Sequence, residues 1–499
     1  MGSEWPVAAP LPRRTSGTTG HPNDRALRRS VGLYTAQFVL RQFAKRALHG
    51  GNSVAIPFWL TKLLVRTRLA RFTPRARRLT DGGTAYLKYY SDRVLAAPVE
   101  ELLDPAFVPA APNFDVLDLN QPTPDAPAAR GAVSVGRTDA LCAPGRVPVT
   151  LPELSKAIAD RYKQAGRTVN PATDILATHG ATGALAAALD AFVNPGDRVV
   201  LFDPCSSLFN LGVRSRHANV SRVPTWVEDG RLRYIARDFE RAMRGAKMLV
   251  LSDPNNPTGA SLANEDLEHI AWIAGGYGIL VYLDESFAAF RGERTRTFAA
   301  MPGADRVTIT AGSVSQEFGQ AGMRVGWLAG PRHLVRACQL TANLSAPYVP
   351  PVCQQAAAKL LTEPMAPEAA QRFRSKRQYT LDRLRAMGLE PEAPSGGYFT
   401  WVPVTGLNLD GRAFAERLLR EERVQVGPGV AFGPSGVGHV RVSFATDDGR
   451  LREGLNRMAA FVERLRKPEV PAPKTEETSE TAVKEKEQSE EKKPAFSRA

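Results

Sequence analysis

Five short apolar runs, each ending on a polar or small residue, constrain this chain more than any other feature. ILAT occupies Ile175 to Thr178, and RVVLFDP, KMLVLSDP, GILVYLDE and RVTITAG begin at Arg198, Lys247, Gly278 and Arg306. Each run has strand length, and near-continuous apolar character suits strands covered on both faces. Helical patterns such as Glu265 to Gly275 lie between them. The alternation predicts an α/β fold with a mostly parallel sheet and helices on both faces. In such a sheet the site lies at the carboxyl ends of the strands, where the polar residues that end the runs converge.

With 499 residues and 43% apolar composition, the chain can bury a large core divided between at least two subdomains. From about Ala346 the pattern changes to a long helical stretch through Arg383, then GGYFTWVPV and HVRVSFA, which read as a smaller α+β domain. Three regions result: a basic extension over 1–111, a compact region over 112–466, and a charged tail over 467–499. Within the compact region the large domain spans about 150–345, and the small domain combines about 112–149 with 346–466. The tail is rich in Lys, Glu, Pro and Thr with little to bury, so disorder is expected there. Cys142, Cys205, Cys338 and Cys353 form no CxxC pair, and the amino terminus lacks the order of a secretory signal, so a reduced, cytoplasmic protein is expected. The longest apolar run, SVAIPFWLTKLLV, is short and carries Pro57 and Lys62, so no transmembrane segment is expected.

The formal net charge is +14, and its distribution matters more than its size. Residues 1–100 hold 17 Lys or Arg against 5 Asp or Glu, whereas the remainder is nearly balanced. Two readings stay open for this segment: an anionic partner, membrane surface or nucleic acid, and a solvated helical arm packed on the main body or on a partner subunit.

Along the compact region, the strand ends offer a set of chemically matched groups. Gly180, Ala181 and Thr182 stand where a strand gives way to a helix, so backbone amides and the helix dipole suit a phosphate; close packing explains such a glycine equally well. Asn256, in DPNNPTG, sits in a tight turn that presents an amide to the cleft. Asp284 ends a strand and either pairs with a cation such as a pyridinium nitrogen or caps the next segment. Ser313, Ser315 and Arg324 supply hydroxyls and a guanidinium for phosphate oxygens. Arg441 alternates with apolar residues in HVRVSFA and needs an anionic partner if buried, either a ligand or a protein carboxylate.

In this order and spacing the pieces resemble the class I/II aminotransferases, the fold type I pyridoxal phosphate (PLP) enzymes, over about residues 112–466. DLNQPTPD is similar to the family's opening segment, LPELSKAIADRY to its first helix, DPNNPTG to its NPNNPTG, and PSGGYFTWVPV with VGPGVAFGPSGVGHVRVSFA to its small-domain signature. The resemblance implies a phosphate cup of Gly180, Ala181, Thr182, Ser313, Ser315 and Arg324. It implies that Asp284 keeps the pyridine nitrogen protonated, Asn256 bonds the phenolic oxygen, and Arg441 grips the carboxylate of an amino-acid or keto-acid ligand. A homodimer is implied too, because relatives build each pocket from both subunits.

The departures bear on activity. Gln316 stands where the family has the lysine that forms the Schiff base and carries the proton, and no lysine occurs between Lys247 and Lys359. An amide nitrogen is neither nucleophilic nor basic, so Gln316 can do neither task. Phe287 replaces a tyrosine, Ser206 replaces the aromatic that stacks on the ring, Asn120 aligns with a glycine, and the phosphate-binding tyrosine is not evident near Leu141 or Cys142. Three readings follow: a pseudoenzyme that keeps a pocket for PLP or pyridoxamine phosphate (PMP), held without a covalent bond, or serves as a scaffold through its basic extension; a lysine-independent PMP enzyme acting on an amino acid or sugar; and an active class I/II aminotransferase. An anionic partner for residues 1–100 will show as salt-sensitive binding that a chain lacking them has lost; equal binding by both chains assigns the segment to a packed arm.

Overall fold

The computed structural model describes residues 116–120, 149–291, 297–363 and 367–466. The basic extension, the charged tail and the Leu141–Cys142 stretch lie outside the described residues. In chain order the elements are β1 (Leu117–Asp118), α1 (Pro152–Gln164), β2 (Ile175–Thr178), α2 (Gly180–Phe192), β3 (Arg198–Asp203), α3 (Ser207–Arg214), β4 (Asn219–Glu228), β5 (Arg231–Tyr234), α4 (Ala236–Met243) and β6 (Met248–Ser252). They continue with α5 (Asn264–Tyr277), β7 (Leu280–Asp284), β8 (Thr308–Ser313), α6 (Val314–Glu317), β9 (Gly326–Ala329), α7 (Arg332–Ser345) and α8 (Pro351–Thr362). Last come α9 (Pro367–Ala386), β10 (Phe399–Pro403), α10 (Gly411–Glu422), β11 (Val424–Gln425), β12 (Gly427–Pro428), β13 (His439–Ser443) and α11 (Asp448–Arg466).

Each of the five opening runs, from Ile175, Arg198, Lys247, Gly278 and Arg306, holds a strand of one eight-stranded sheet, ordered β2-β9-β8-β7-β6-β3-β4-β5. From β8 through β7, β6 and β3 to β4 the pairing is parallel, and β9 and β5 are antiparallel insertions. The runs are apolar throughout because the sheet is covered twice. Val199, Leu201, Met248, Val250 and Tyr282 pack toward α2, α3 and α7, while Val200, Phe202, Leu249, Leu251, Val281 and Leu283 pack toward α4 and α5. The strand period of two thus sends alternate residues into two different cores, and each such buried side chain stabilises the fold by about 1.5–3 kcal/mol.

A separate three-stranded antiparallel sheet, β10-β13-β12, follows, and the opening segment makes the parallel pair β1–β11 beside it. Its core gathers Leu117, Leu119, Tyr398, Phe399, Phe414, Val440, Val442, Leu455 and Phe461. The long helical stretch after Ala346 is two described helices. Of these, α8 packs its Ala357, Leu360 and Leu361 with Leu154, Ile158 and Tyr162 of α1.

One junction fixes the geometry of the sheet's carboxyl edge. β9 lies between β2 and β8, with Gly326 opposite both Thr178 and Ser313. A Cβ on Gly326 would stand 2.5 Å from the carbonyl carbon of Gly180 and 2.8 Å from the oxygen of Gly312, both backbone atoms that cannot rotate away. Gly326→Ala should therefore destabilise the protein by about 1–3 kcal/mol, the range for overpacking a filled interior, measured as a lower urea midpoint; an unchanged midpoint would show that the strands can spread.

Candidate active site

At the carboxyl edge the structure brings most of the sequence-predicted residues into three adjoining groups. In the first, α2 begins at Gly180, which adopts φ +70° directly after β2, and His179 at the cap position offers no side-chain bond to the helix. The free amides of a 13-residue helix therefore face this edge. Arg324, itself at φ +55°, donates from Nη2 to the His179 carbonyl at 3.2 Å and from Nη1 to Ala321 O at 3.2 Å. A Cβ on Gly180 would meet Arg324 Nη2 at 2.8 Å, so the glycine leaves the guanidinium its place. Ser313 ends β8 and caps α6: its Oγ accepts the Ser315 amide at 3.1 Å and lies 2.9 Å from Ser315 Oγ. Thr182 is exposed on the first turn of α2, and the backbone oxygen of Ala181 accepts the Tyr282 hydroxyl at 3.4 Å.

The second group is Asp284, whose strand β7 pairs with β6 through Ser252 and with β8 through Ala311. Its Oδ1 accepts both the amide (2.9 Å) and the hydroxyl (2.6 Å) of Ser286, a partner that the sequence reading did not assign. Burial raises its pKa above the usual carboxylate range, and the two Ser286 bonds offset part of that rise. The neighbouring Glu285 turns elsewhere. It pairs with Arg291 at 2.9 Å, and Arg291 also donates to the Asp253 carbonyl at 2.8 Å, which ties the ends of β6 and β7 together.

The third group surrounds Arg441. Its Nη1 donates to Asn256 Oδ1 at 2.7 Å, across the cleft, and its Nη2 donates to both the backbone oxygen and Oδ1 of Asn120 at 2.8 Å each. The rings of Phe399 and Phe432 lie 4.3 and 4.6 Å from the guanidinium carbon. Arg441 is only 5% exposed, yet among the described residues no carboxylate forms an ion pair with it. Burial lowers its pKa to about 10, so it stays charged at neutral pH, and its Nε is buried without a hydrogen-bond partner. The charge of Asp118 lies near enough to favour the protonated guanidinium, so a protein carboxylate contributes without a direct ion pair.

Three residues noted in the sequence as departures, Phe287, Gln316 and Ser206, have their own surroundings. Phe287 is 5% exposed in the small-domain core, edge-on to Tyr398 and Phe399 at 5.3 and 5.4 Å. Gln316 lies in α6, one residue after Ser315, with its Oε1 buried and unbonded; the adjacent Glu317 is held by Arg161 at 2.6 Å. Ser206 is buried at the start of α3. A cavity of about 820 Å³ lined by Lys156, Lys163, Ile175, Arg332 and Arg336 opens beside the beginning of β2, and none of the candidate residues line it.

Residues 143–458, more than half of the chain, match the family described as aminotransferase class I and II. This protein belongs to the class I and II aminotransferase family. It is 31% identical over 314 residues to a putative aminotransferase, YugH, of Bacillus subtilis, covering 62% of this chain and 80% of the relative. It is 30% identical over 398 residues to arginine–pyruvate transaminase of Pseudomonas aeruginosa, covering 79% and 97%. Among solved structures, the aromatic aminotransferase from Pyrococcus horikoshii superposes with a TM-score of 0.62 at 28% identity, covering 70% of this chain and 96% of that one. The fold is that of the fold type I, PLP-dependent aminotransferases, and no helix among the described residues is long and apolar enough to cross a membrane.

The residues present fit a phosphorylated pyridine in two respects: hydroxyls, a guanidinium and a helix amino terminus suit a phosphate, and a carboxylate at the end of β7 suits a pyridinium. A bound pyridinium would reverse the cost of ionising Asp284. Its raised pKa means that, without ligand, Asp284 weakens the fold above its own pKa and ceases to do so once acid protonates it. Asp284→Asn should accordingly raise the ligand-free melting temperature at pH above the raised pKa of Asp284, with the gain vanishing as pH falls through that pKa toward the ordinary carboxylate range, and should lose PLP affinity. Melting curves that stay parallel to wild type at every pH would contradict this.

Proposed function

We propose that this family member binds PLP or PMP without a covalent bond, presents Arg441 to the carboxylate of an amino or keto acid, and has lost ordinary lysine-dependent transamination. The observation that carries the reading is Gln316. It sits one residue after Ser315, where the sequence resemblance puts the family's lysine, and its Oε1 is buried and unbonded. An amide can neither bond covalently to the cofactor nor take up a proton near neutral pH.

The bound cofactor would supply an electron-withdrawing ring. The chain's own residues would do the rest. Gly180, Ala181, Thr182, Ser313, Ser315 and Arg324 would hold the phosphate, Asp284 would keep the ring nitrogen protonated, and Asn256 would stand between the ring's phenolic oxygen and Arg441. Phe287 carries no hydroxyl to share that work and serves as packing under the site. Anchorage then rests on the cup and Asp284 alone, so affinity for PLP should fall below that of a lysine-bearing relative. A homodimer is expected from the family.

A second reading, ordinary amino-group transfer with another group moving the proton, is favoured by the relatives, whose names are aminotransferases and transaminases. One experiment separates the two. Wild type and Gln316→Lys are each titrated with PLP and PMP, and the PMP-loaded forms are mixed with a panel of 2-oxo acids. The expected result is non-covalent binding by wild type with no turnover, and in Gln316→Lys an absorption band of lysine-bound PLP with at least about tenfold tighter binding. Turnover by wild type at a rate comparable to the lysine variant would establish the second reading. A folded lysine variant without the band would show that the cup itself does not hold the cofactor.

A further inference from the structure

The hydrogen bonds around Arg441 carry an inference about which ligands this site accepts, resting on the reading above that Arg441 faces a ligand carboxylate. A carboxylate can grip a guanidinium with two parallel bonds along either of two edges, one made by Nη1 and Nη2, the other by Nε and Nη2. Nη2 belongs to both edges. Its two hydrogens are directed at one residue, the backbone oxygen and the Oδ1 of Asn120, at 2.8 Å each. Neither two-pronged grip is open while the Asn120 side chain stays in place.

Asn120 is held there firmly. Its amide donates to Asp118 Oδ1 at 2.7 Å, and the preceding Leu119 is strung between strands, with its amide on Gln425 O and its carbonyl accepting the Ser443 amide. On β12, Gly427 pairs with Arg441 itself, and a Cβ at Gly427 would stand 2.6 Å from Asn120 Oδ1. The glycine leaves a slot that the Asn120 amide fills, between the β12 backbone and the guanidinium. Because arginine only donates, the atom facing Nη2 is the amide oxygen, a neutral surrogate for one carboxylate oxygen.

We propose that Asn120 is a specificity-determining gate: its amide oxygen occupies the carboxylate's place on Arg441, so a ligand carboxylate must displace it, and wild type discriminates weakly between carboxylated ligands and their carboxyl-free counterparts. The exchange replaces one neutral acceptor with a charged one, so much of what a carboxylate would gain is already met by Asn120. With Asn120→Ala the backbone oxygen remains on Nη2 and one hydrogen is freed. With Asn120→Asp the place is taken by a charged competitor.

The test uses two stable probes that differ only in the carboxylate, N-phosphopyridoxyl-L-alanine and N-phosphopyridoxyl-ethylamine, and reads their affinities by titration calorimetry on the full chain. Wild type should bind the two within about threefold of each other. Asn120→Ala should favour the alanine probe by about tenfold or more with the ethylamine probe unmoved, Asn120→Asp should reverse the preference, and adding Arg441→Gln to Asn120→Ala should abolish it. If both Asn120 variants keep the wild-type ratio while Arg441→Gln weakens the alanine probe, the gate is wrong and the carboxylate reading of Arg441 stands. If Arg441→Gln leaves the alanine probe unmoved in both backgrounds, the reading fails and the gate with it. If neither probe binds any folded variant, the cofactor pocket itself is refuted, and the gate with it.

Discussion

Three stretches of backbone meet around Gly326 at distances that leave no room for a side chain, and the site is arranged around that contact. β9 enters between β2 and β8 against the direction of its neighbours, which brings the turn at Gly180 beside the end of β8. Without it, the first turn of α2 and the Ser313 cap would belong to separate parts of the sheet edge. With it, helix amides, two hydroxyls and Arg324 share one corner, and the positive φ of Arg324 lets the chain turn back into β9 while its guanidinium closes the corner. Backbone packing here does what a binding motif is usually credited with.

The electrostatics divide along the cleft. The eight-stranded sheet brings Asp284, whose ionisation burial opposes and the Ser286 bonds favour. The three-stranded sheet brings Arg441, charged and buried among amide and carbonyl oxygens and two aromatic faces. Neither satisfies the other. Glu285, next to Asp284, is already matched to Arg291, so the residue that is mechanically useful and the residue that is chemically available are neighbours in sequence with opposite orientations.

The architecture was legible because buried strands announce themselves: a run such as KMLVLSDP, apolar on both alternating faces, has few alternatives to a covered parallel strand. The strand-end residues were legible as chemical types. What the sequence could not convey was pairing. Asn120 read as a departure at a glycine position, and nothing local indicates that its oxygen lies on Arg441, 321 residues away. Phe287 read as a tyrosine without its hydroxyl, whereas its surroundings make it a core ring touching Tyr398 and Phe399. The antiparallel β9 was missed because VGWLAG carries two glycines and resembles a loop, although those glycines mark close backbone approach. The helical stretch after Ala346 reads as one if Pro364 and Pro367 are passed over, yet they mark the break between α8 and α9, and α8 packs against α1.

The bond from Arg441 to Asn256 joins elements of different sheets, Arg441 on β13 and Asn256 on the turn after β6. A hydrogen bond is lost within about 1 Å of separation, so this contact acts as a ruler for the width of the cleft. Parting those two elements by that much would leave the guanidinium only its acceptors on Asn120, so the bond holds β13 and the turn after β6 at one spacing.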